Sequence, residues 1–217
     1  MEPRRQRGET RGRCVREALP AELDALAGLL AHAFERDPAY RWMLPDDVRW
    51  RRVAPGLFRA ILELFAATGL VLTDADGRGA ALWNPPEPRP RSLRQSLAFS
   101  LGLCARLGWA SARLARLARA LAALHPREPH WYLGVVGVDP EWRRRGVGAS
   151  LLAPILARCD AEQLPAYLET AAAENLPFYR GNGFEVIGEA SVPSGPRIWA
   201  MRRPPRVEPG REPKRFR

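Results

Sequence analysis

The stretch VGVDPEWRRRGVGASLL, residues 136–152, runs from an apolar segment through three adjacent arginines and two glycines into a second apolar pattern. Upstream, HWYLGVVGV (residues 130–138) reads as a buried β-strand. Downstream, Val147, Leu151, Leu152, Ile155 and Leu156 recur on one side of a helix expected over about residues 146–159, with Pro154 inside it as an expected kink. Glycine costs stability in a helix, and neighbouring like charges repel. The first turn of a helix, however, carries unpaired N–H groups and a partial positive charge. Removing side chains there lets an anion reach the backbone, and guanidinium groups add bidentate donors. Residues Arg143, Arg144, Arg145, Gly146, Val147, Gly148 and Ala149 therefore describe a cradle for a pyrophosphate.

Two other phosphate loops fit less well. A Walker A loop needs a lysine after its last glycine, and the one lysine in the chain is Lys214. A dinucleotide fingerprint needs glycine at the sixth position and a strand directly before it. Here the sixth position is Leu151, and residues 139–145 separate strand from glycine.

Outward from this centre, residues 14–18 suggest a short strand and residues 20–36 a helix, with Leu23, Leu26, Leu29, Leu30 and Phe34 at helical spacing. ERDPAYRWMLPDD, residues 35–47, reads as a loop carrying Tyr40 and Trp42 between Pro38 and Pro45. A second helix is expected over about 48–67, bent or restarted at Pro55. Val71-Leu72 and residues 80–83 flank Asp76-Gly77, the mark of a hairpin. Residues 91–124 read as one broken or two consecutive helices whose arginine stripe is a solvated face. After the central strand come a strand at 164–170, a short helix near 175–182 and a closing hairpin, FEVIGEA and PRIWAMRR. Strand–helix–strand implies a parallel pair at the heart of the sheet.

The chain has 217 residues and a formal net charge of +10. Residues 1–16 carry +4 and residues 202–217 carry +5, so the body between them is close to neutral and no nucleic-acid footprint is implied. One domain is expected over 13–203, with disordered basic tails at 1–12 and 204–217. Cys14, Cys104 and Cys159, and His32, His125 and His130, are too scattered for a disulfide framework or a metal site. No secretory signal is visible. The most apolar span, 97–109, is interrupted by Arg106 and too short to cross a bilayer, so a cytoplasmic protein is expected.

Taken in order, Val136-Gly137-Val138, then Arg143-x-x-Gly146-x-Gly148, an amphipathic helix, a strand ending YLET and the segment NLPFYRGNGF resemble the acetyl-CoA site of the GNAT superfamily of N-acetyltransferases. Over the C-terminal third, with looser likeness at FERDP and GAALWNPP, the chain is similar to puromycin N-acetyltransferase-like members. That resemblance implies an α/β (α+β) GNAT fold: a mixed, mostly antiparallel twisted sheet with a central parallel splayed strand pair and flanking helices. It implies direct transfer of an acetyl group from acetyl-CoA to a primary amine of a small molecule. Val136, Gly137 and Val138 would hold the cofactor's arm, the loop 143–149 its pyrophosphate, and Asn175 would contribute a contact. Tyr179 would be the general acid and Glu169 the general base. Tyr40, Trp42, Trp83 and Trp131 are candidates for the acceptor pocket. Neither membrane nor nucleic acid nor metal is required, and a monomer or homodimer is expected. A protein or peptide acetyltransferase, a non-catalytic acyl-CoA-binding regulator, and an RNA- or membrane-binding role for the tails stand as alternatives.

Overall fold

In a computed structural model that describes residues 14–90 and 92–206, the chain builds a seven-stranded sheet flanked by helices on both faces. The strands are β1 (Val15–Glu17), β2 (Leu70–Asp74), β3 (Gly79–Asn84), β4 (Trp131–Val138), β5 (Ala166–Thr170), β6 (Glu185–Ser191) and β7 (Arg197–Arg203). The helices are α1 (Leu23–Ala33), α2 (Pro38–Met43), α3 (Asp47–Thr68), α4 (Leu93–Leu107), α5 (Ser111–Leu124), α6 (Val147–Glu162) and α7 (Leu176–Gly181). Sheet order is β1-β2-β3-β4-β5-β7-β6, and every pairing is antiparallel except β4 with β5. The expected mixed sheet with its central parallel pair is thus observed. None of the described helices is long and apolar enough to cross a membrane.

Two apolar layers sandwich the sheet. On one face α1, α3 and α5 pack Leu30, Leu57, Phe58, Leu62 and Leu117 against Leu82 and Val135. On the other, α6 packs Leu151, Leu152, Ile155 and Leu156 against Trp83, Leu133, Leu168 and Met201. The two prolines inside helices, Pro55 in α3 and Pro154 in α6, both point to solvent. Each leaves one carbonyl of the preceding turn unpaired, and on the outer face water can take it. Both helices therefore run on as single elements, and the expected restart at Pro55 does not occur.

The segment expected as a loop at 35–47 contains α2. Asp37 caps it by accepting from the amides of Ala39 at 2.9 Å and Tyr40 at 3.2 Å, and Pro38 occupies the first helical position. Of the expected tails, 1–13 and 207–217 lie outside the described residues. Residues 204–206 are tied down, with the Arg206 amide donating to Asp160 at 2.7 Å.

Two features of β4 open the sheet. It pairs with β5 at three positions only, Trp131↔Ala166, Tyr132↔Tyr167 and Leu133↔Leu168. Beyond Leu133 the strands part, so that β4 and the end of β5 no longer pair with each other, although β5 stays paired with β7 to Thr170. At the same point the register against β3 slips, so that Leu82 faces Val135 while Trp83 faces Leu133. The slip is a bulge at Gly134, and it reverses the side-chain alternation. Trp131 and Leu133 face α6, whereas Val135 joins the opposite layer and Gly137 lies under Leu30 of α1. A Cβ on Gly134 would come within 2.2 Å of the Phe65 ring. Gly134→Ala is therefore expected to lower the unfolding free energy by about 1–3 kcal/mol in chemical denaturation, with Phe65→Leu in the same chain recovering part of the loss.

Candidate active site

The gap between the parted strands is a cleft of about 120 Å³. Its walls bring together Val136 of β4, Glu169 of β5, Tyr179 of α7, Asn175 just ahead of α7, and Tyr40 and Asp37 at the start of α2. Leu117 and Leu121 of α5 close one side. Five of the residues singled out in the sequence thus meet here, and Asp37 joins them.

Tyr179 sits where a short helix ends. Its carbonyl accepts from the amides of Asn182 at 3.0 Å and Phe184 at 3.1 Å, and Gly183 makes the turn at φ +88°. The residue is 7% exposed, and among the described residues its hydroxyl has no hydrogen-bond partner. Burial, reinforced by the charge of Asp37, pushes the phenol above its usual pKa, so the group keeps its proton through the neutral range. Tyr40 is shifted the same way by the same two causes. Its ring stacks within the cluster of Phe34, Trp50 and Phe58, at centroid distances of 5.2, 6.2 and 5.0 Å.

Two carboxylates enter the cleft. The Glu169 side chain is 4% exposed, and His125 Nδ1 lies 3.4 Å from its carboxylate. Tyr132 and Tyr167 crowd it, and burial followed by the Glu169 charge raises both phenols above the usual value. Asp37 uses one oxygen, Oδ1, for the α2 cap. Burial raises its pKa, opposed by the bonds from Tyr40 and Ala39. Two carboxylates thus line one small cleft.

At the mouth of the splay, α6 begins. Gly146 is its N-cap with φ +84°, and Arg144 before it also has a positive φ, +58°. The first amide after Gly146 recorded on a carbonyl is Ser150, bonded to Gly146 O at 3.0 Å, so the amides of Val147, Gly148 and Ala149 point out of the helix end. Gly148 lies against Phe178, whose ring a Cβ would meet at 3.1 Å, which brings α7 close to this end of α6. The three arginines have separate fates. Arg143 donates to Ala33 O at 2.6 Å and reaches Val138 O at 3.5 Å, tying the loop to α1. Arg145 stacks on Trp142 at 4.9 Å, with Arg78 on the same ring at 3.8 Å. Arg144 is exposed.

Three expected acceptor-pocket residues lie elsewhere. Trp83 and Trp131 are 0% and 1% exposed in the layer under α6, because the alternation ahead of the Gly134 bulge turns them away from the cleft. Trp131 Nε1 donates to Glu162 at 2.8 Å. Trp42 points to the β6–β7 turn, donating to Ser194 O at 2.6 Å. Asp37 and His125 were missed in the sequence. Asp37-Pro38 is a cap signature that could have been read, whereas nothing local marks His125.

The model of the Acetyltransferase (GNAT) family matches residues 85–184. An uncharacterized N-acetyltransferase of Schizosaccharomyces pombe is 31% identical over 169 residues, covering 73% of this chain and 68% of the relative. Among solved structures, a histone acetyltransferase HPA2 and related acetyltransferase from Corynebacterium glutamicum superposes with TM-score 0.68 at 26% identity, over 91% of this chain and 99% of that one. Arylalkylamine N-acetyltransferase 2 from Aedes aegypti shares the fold, with TM-score 0.59 at 12% identity, over 88% and 98%.

The left-handed backbone at Gly146 has a measurable consequence. Gly146→Val is expected to cost about 1–2 kcal/mol of stability in denaturant unfolding, and Gly146→Asn distinctly less, since asparagine tolerates this conformation.

Proposed function

The chain belongs to the GNAT family of N-acetyltransferases, and we propose that within it the protein acetylates the primary amine of a small molecule in one direct step. As a member it is an acetyl-CoA-dependent acyltransferase. The observation that carries the finer reading is the cleft itself. It is a small chamber between parted strands, holding a protonated phenol and two carboxylates, with a bare helix N-terminus at its mouth.

The residues present fit the cofactor. No atom lies within 4 Å of where a side chain at Gly146 would stand, so a phosphate can approach the amides of Val147, Gly148 and Ala149. Arg144 and Arg145 add charge at the same end, and the unpaired edge of β4 at Val136, Gly137 and Val138 offers backbone groups to an extended arm. We place Asn175 beside that arm. Acetyl-CoA supplies an activated acetyl thioester when bound.

Glu169 takes a proton from the acceptor ammonium onto its carboxylate and so frees the nitrogen lone pair. Asp37 holds the cation in place, and Leu117 and Leu121 keep water out. Tyr179 Oη, held protonated by burial, donates its proton to the leaving sulfur. A cleft of about 120 Å³ admits the amine and the acetyl group and leaves the body of the acceptor outside, below the ~300 Å³ usual for enclosing a whole drug-sized ligand. An aminonucleoside such as puromycin, to whose acetyltransferases the C-terminal third is similar, presents its amine in that way. The likeness to the histone acetyltransferase HPA2-related structure favours a second reading, in which the amine belongs to a protein lysine or N-terminus.

The test is to mix the purified protein with acetyl-CoA and a panel of puromycin, arylalkylamines, polyamines and a basic histone peptide, and to follow free thiol. Turnover with a small amine and not the peptide is expected. Turnover with the peptide alone moves the assignment to the second reading, and cofactor binding with no turnover on any amine overturns both. Tyr179→Phe is expected to cut kcat roughly 10- to 1000-fold. Calorimetric titration should find its acetyl-CoA affinity nearly unchanged.

A further inference from the structure

The inserted helix pair α4–α5 ends at His125, and this residue joins the reaction chamber to a second cleft. That cleft is walled by Pro85, Pro86, Pro126 and Pro129, and both His125 and His130 line it. Glu169 lies in the chamber and is almost sealed from solvent, whereas the His125 side chain is 39% exposed. The 3.4 Å contact between Glu169 and His125 Nδ1 is therefore a link between a buried carboxylate and open water.

The imidazole is held for that link. Its amide closes the last turn of α5 on Leu121 O at 3.0 Å, and Tyr167 Oη fixes the same turn by donating to Leu124 O at 3.0 Å. The ring meets Tyr132 and Tyr167 edge-on, with centroids 5.0 and 5.2 Å apart at interplanar angles of 78° and 79°. His130 stands 4.8 Å away, and burial lowers its pKa.

We propose that His125 is a positioning residue for the Glu169 base: its Nδ1–H holds the carboxylate in the splay, and its exposed ring is the route by which external pH acts on it. The inference rests on the reading of Glu169 as the base. Its sign follows from Coulomb's law. An imidazolium beside Glu169 stabilises the ionised carboxylate and weakens its pull on the acceptor's proton. A neutral ring leaves the hydrogen bond without the extra charge, so kcat rises as the ring loses its proton. The other charged or titratable groups around the ring are Arg127 and Glu128 from the loop that follows it, His130 and Tyr132 from β4 and its approach, and Tyr167 from β5. Glu128 is itself engaged by Arg202 at 3.3 Å. Glu169 is thus the carboxylate in direct contact with the ring.

The first experiment needs no turnover. NMR titration of the His125 ring in the full chain and in Glu169→Gln should show a lower midpoint in the variant, since the carboxylate favours imidazolium. An unchanged midpoint overturns the coupling, whatever the fate of the base assignment. The second is kinetic, with the fastest amine of the panel as acceptor. His125→Ala should lower kcat about 10- to 100-fold with KM for acetyl-CoA unchanged. His125→Asn, which keeps a donor near Nδ1 and cannot be protonated, should regain most of that rate and lose the rise with pH. If His125→Asn is as slow as His125→Ala, or if His125→Ala keeps the parent rate and pH profile, the proposal fails. Glu169→Gln separates the two claims. Near-parent activity in that variant removes the base reading itself, while a dead Glu169→Gln beside an undisturbed His125→Ala removes His125 alone.

Discussion

Everything at the cleft depends on β4 and β5 ceasing to pair after Leu168 and Leu133. Two parallel strands that stayed bonded to their ends would fill the space with their own ladder. Parting them leaves backbone donors and acceptors without partners, which is costly inside a protein unless something else supplies them. A bound, extended chain rich in amide groups would do so, and this is why the opening reads as a site rather than as a defect. The Gly134 bulge sits at the same level and is held by the Phe65 ring, which tolerates no side chain there. The reversal of alternation that follows places Val135 and Gly137 under α1, so α1 and α3 brace the strand at the point where β5 no longer does.

The electrostatics of the chamber follow from that geometry. Burial keeps Tyr179 protonated, and it raises Asp37 even though two amides bind its carboxylate. Such shifts are what proton-transfer sites are built from. Opposite signs of charge are kept apart: carboxylates lie inside the splay, while free amides and arginines stand at its mouth. A cationic acceptor and an anionic cofactor can then approach from different sides without competing for one patch.

The sequence displayed the parts whose signals are local. Gly146 and Gly148 at a helix start, the apolar stripe of α6 and the short helix carrying Tyr179 all appear where their residues led us to expect them. Features set by distant contacts were not legible. Trp83 and Trp131 looked like pocket aromatics, because only the bulge decides which face each occupies. Pro38 and Pro45 suggested a loop at 35–47, where Asp37 and Pro38 in fact start a helix. The run Arg143-Arg144-Arg145 looked uniform, yet Arg143 is spent on Ala33 O and Arg145 on Trp142. The bond from His125 to Glu169 spans 44 positions and leaves no pattern in the chain.

A crystal structure of the protein with coenzyme A bound is the most direct test of the central claim. The diphosphate is expected on the amides of Val147, Gly148 and Ala149, with the arm lying along the free edge of β4 and its sulfur near Tyr179 and Glu169. A diphosphate lodged away from the start of α6, or β4 and β5 found paired to their ends with the arm outside, would contradict it.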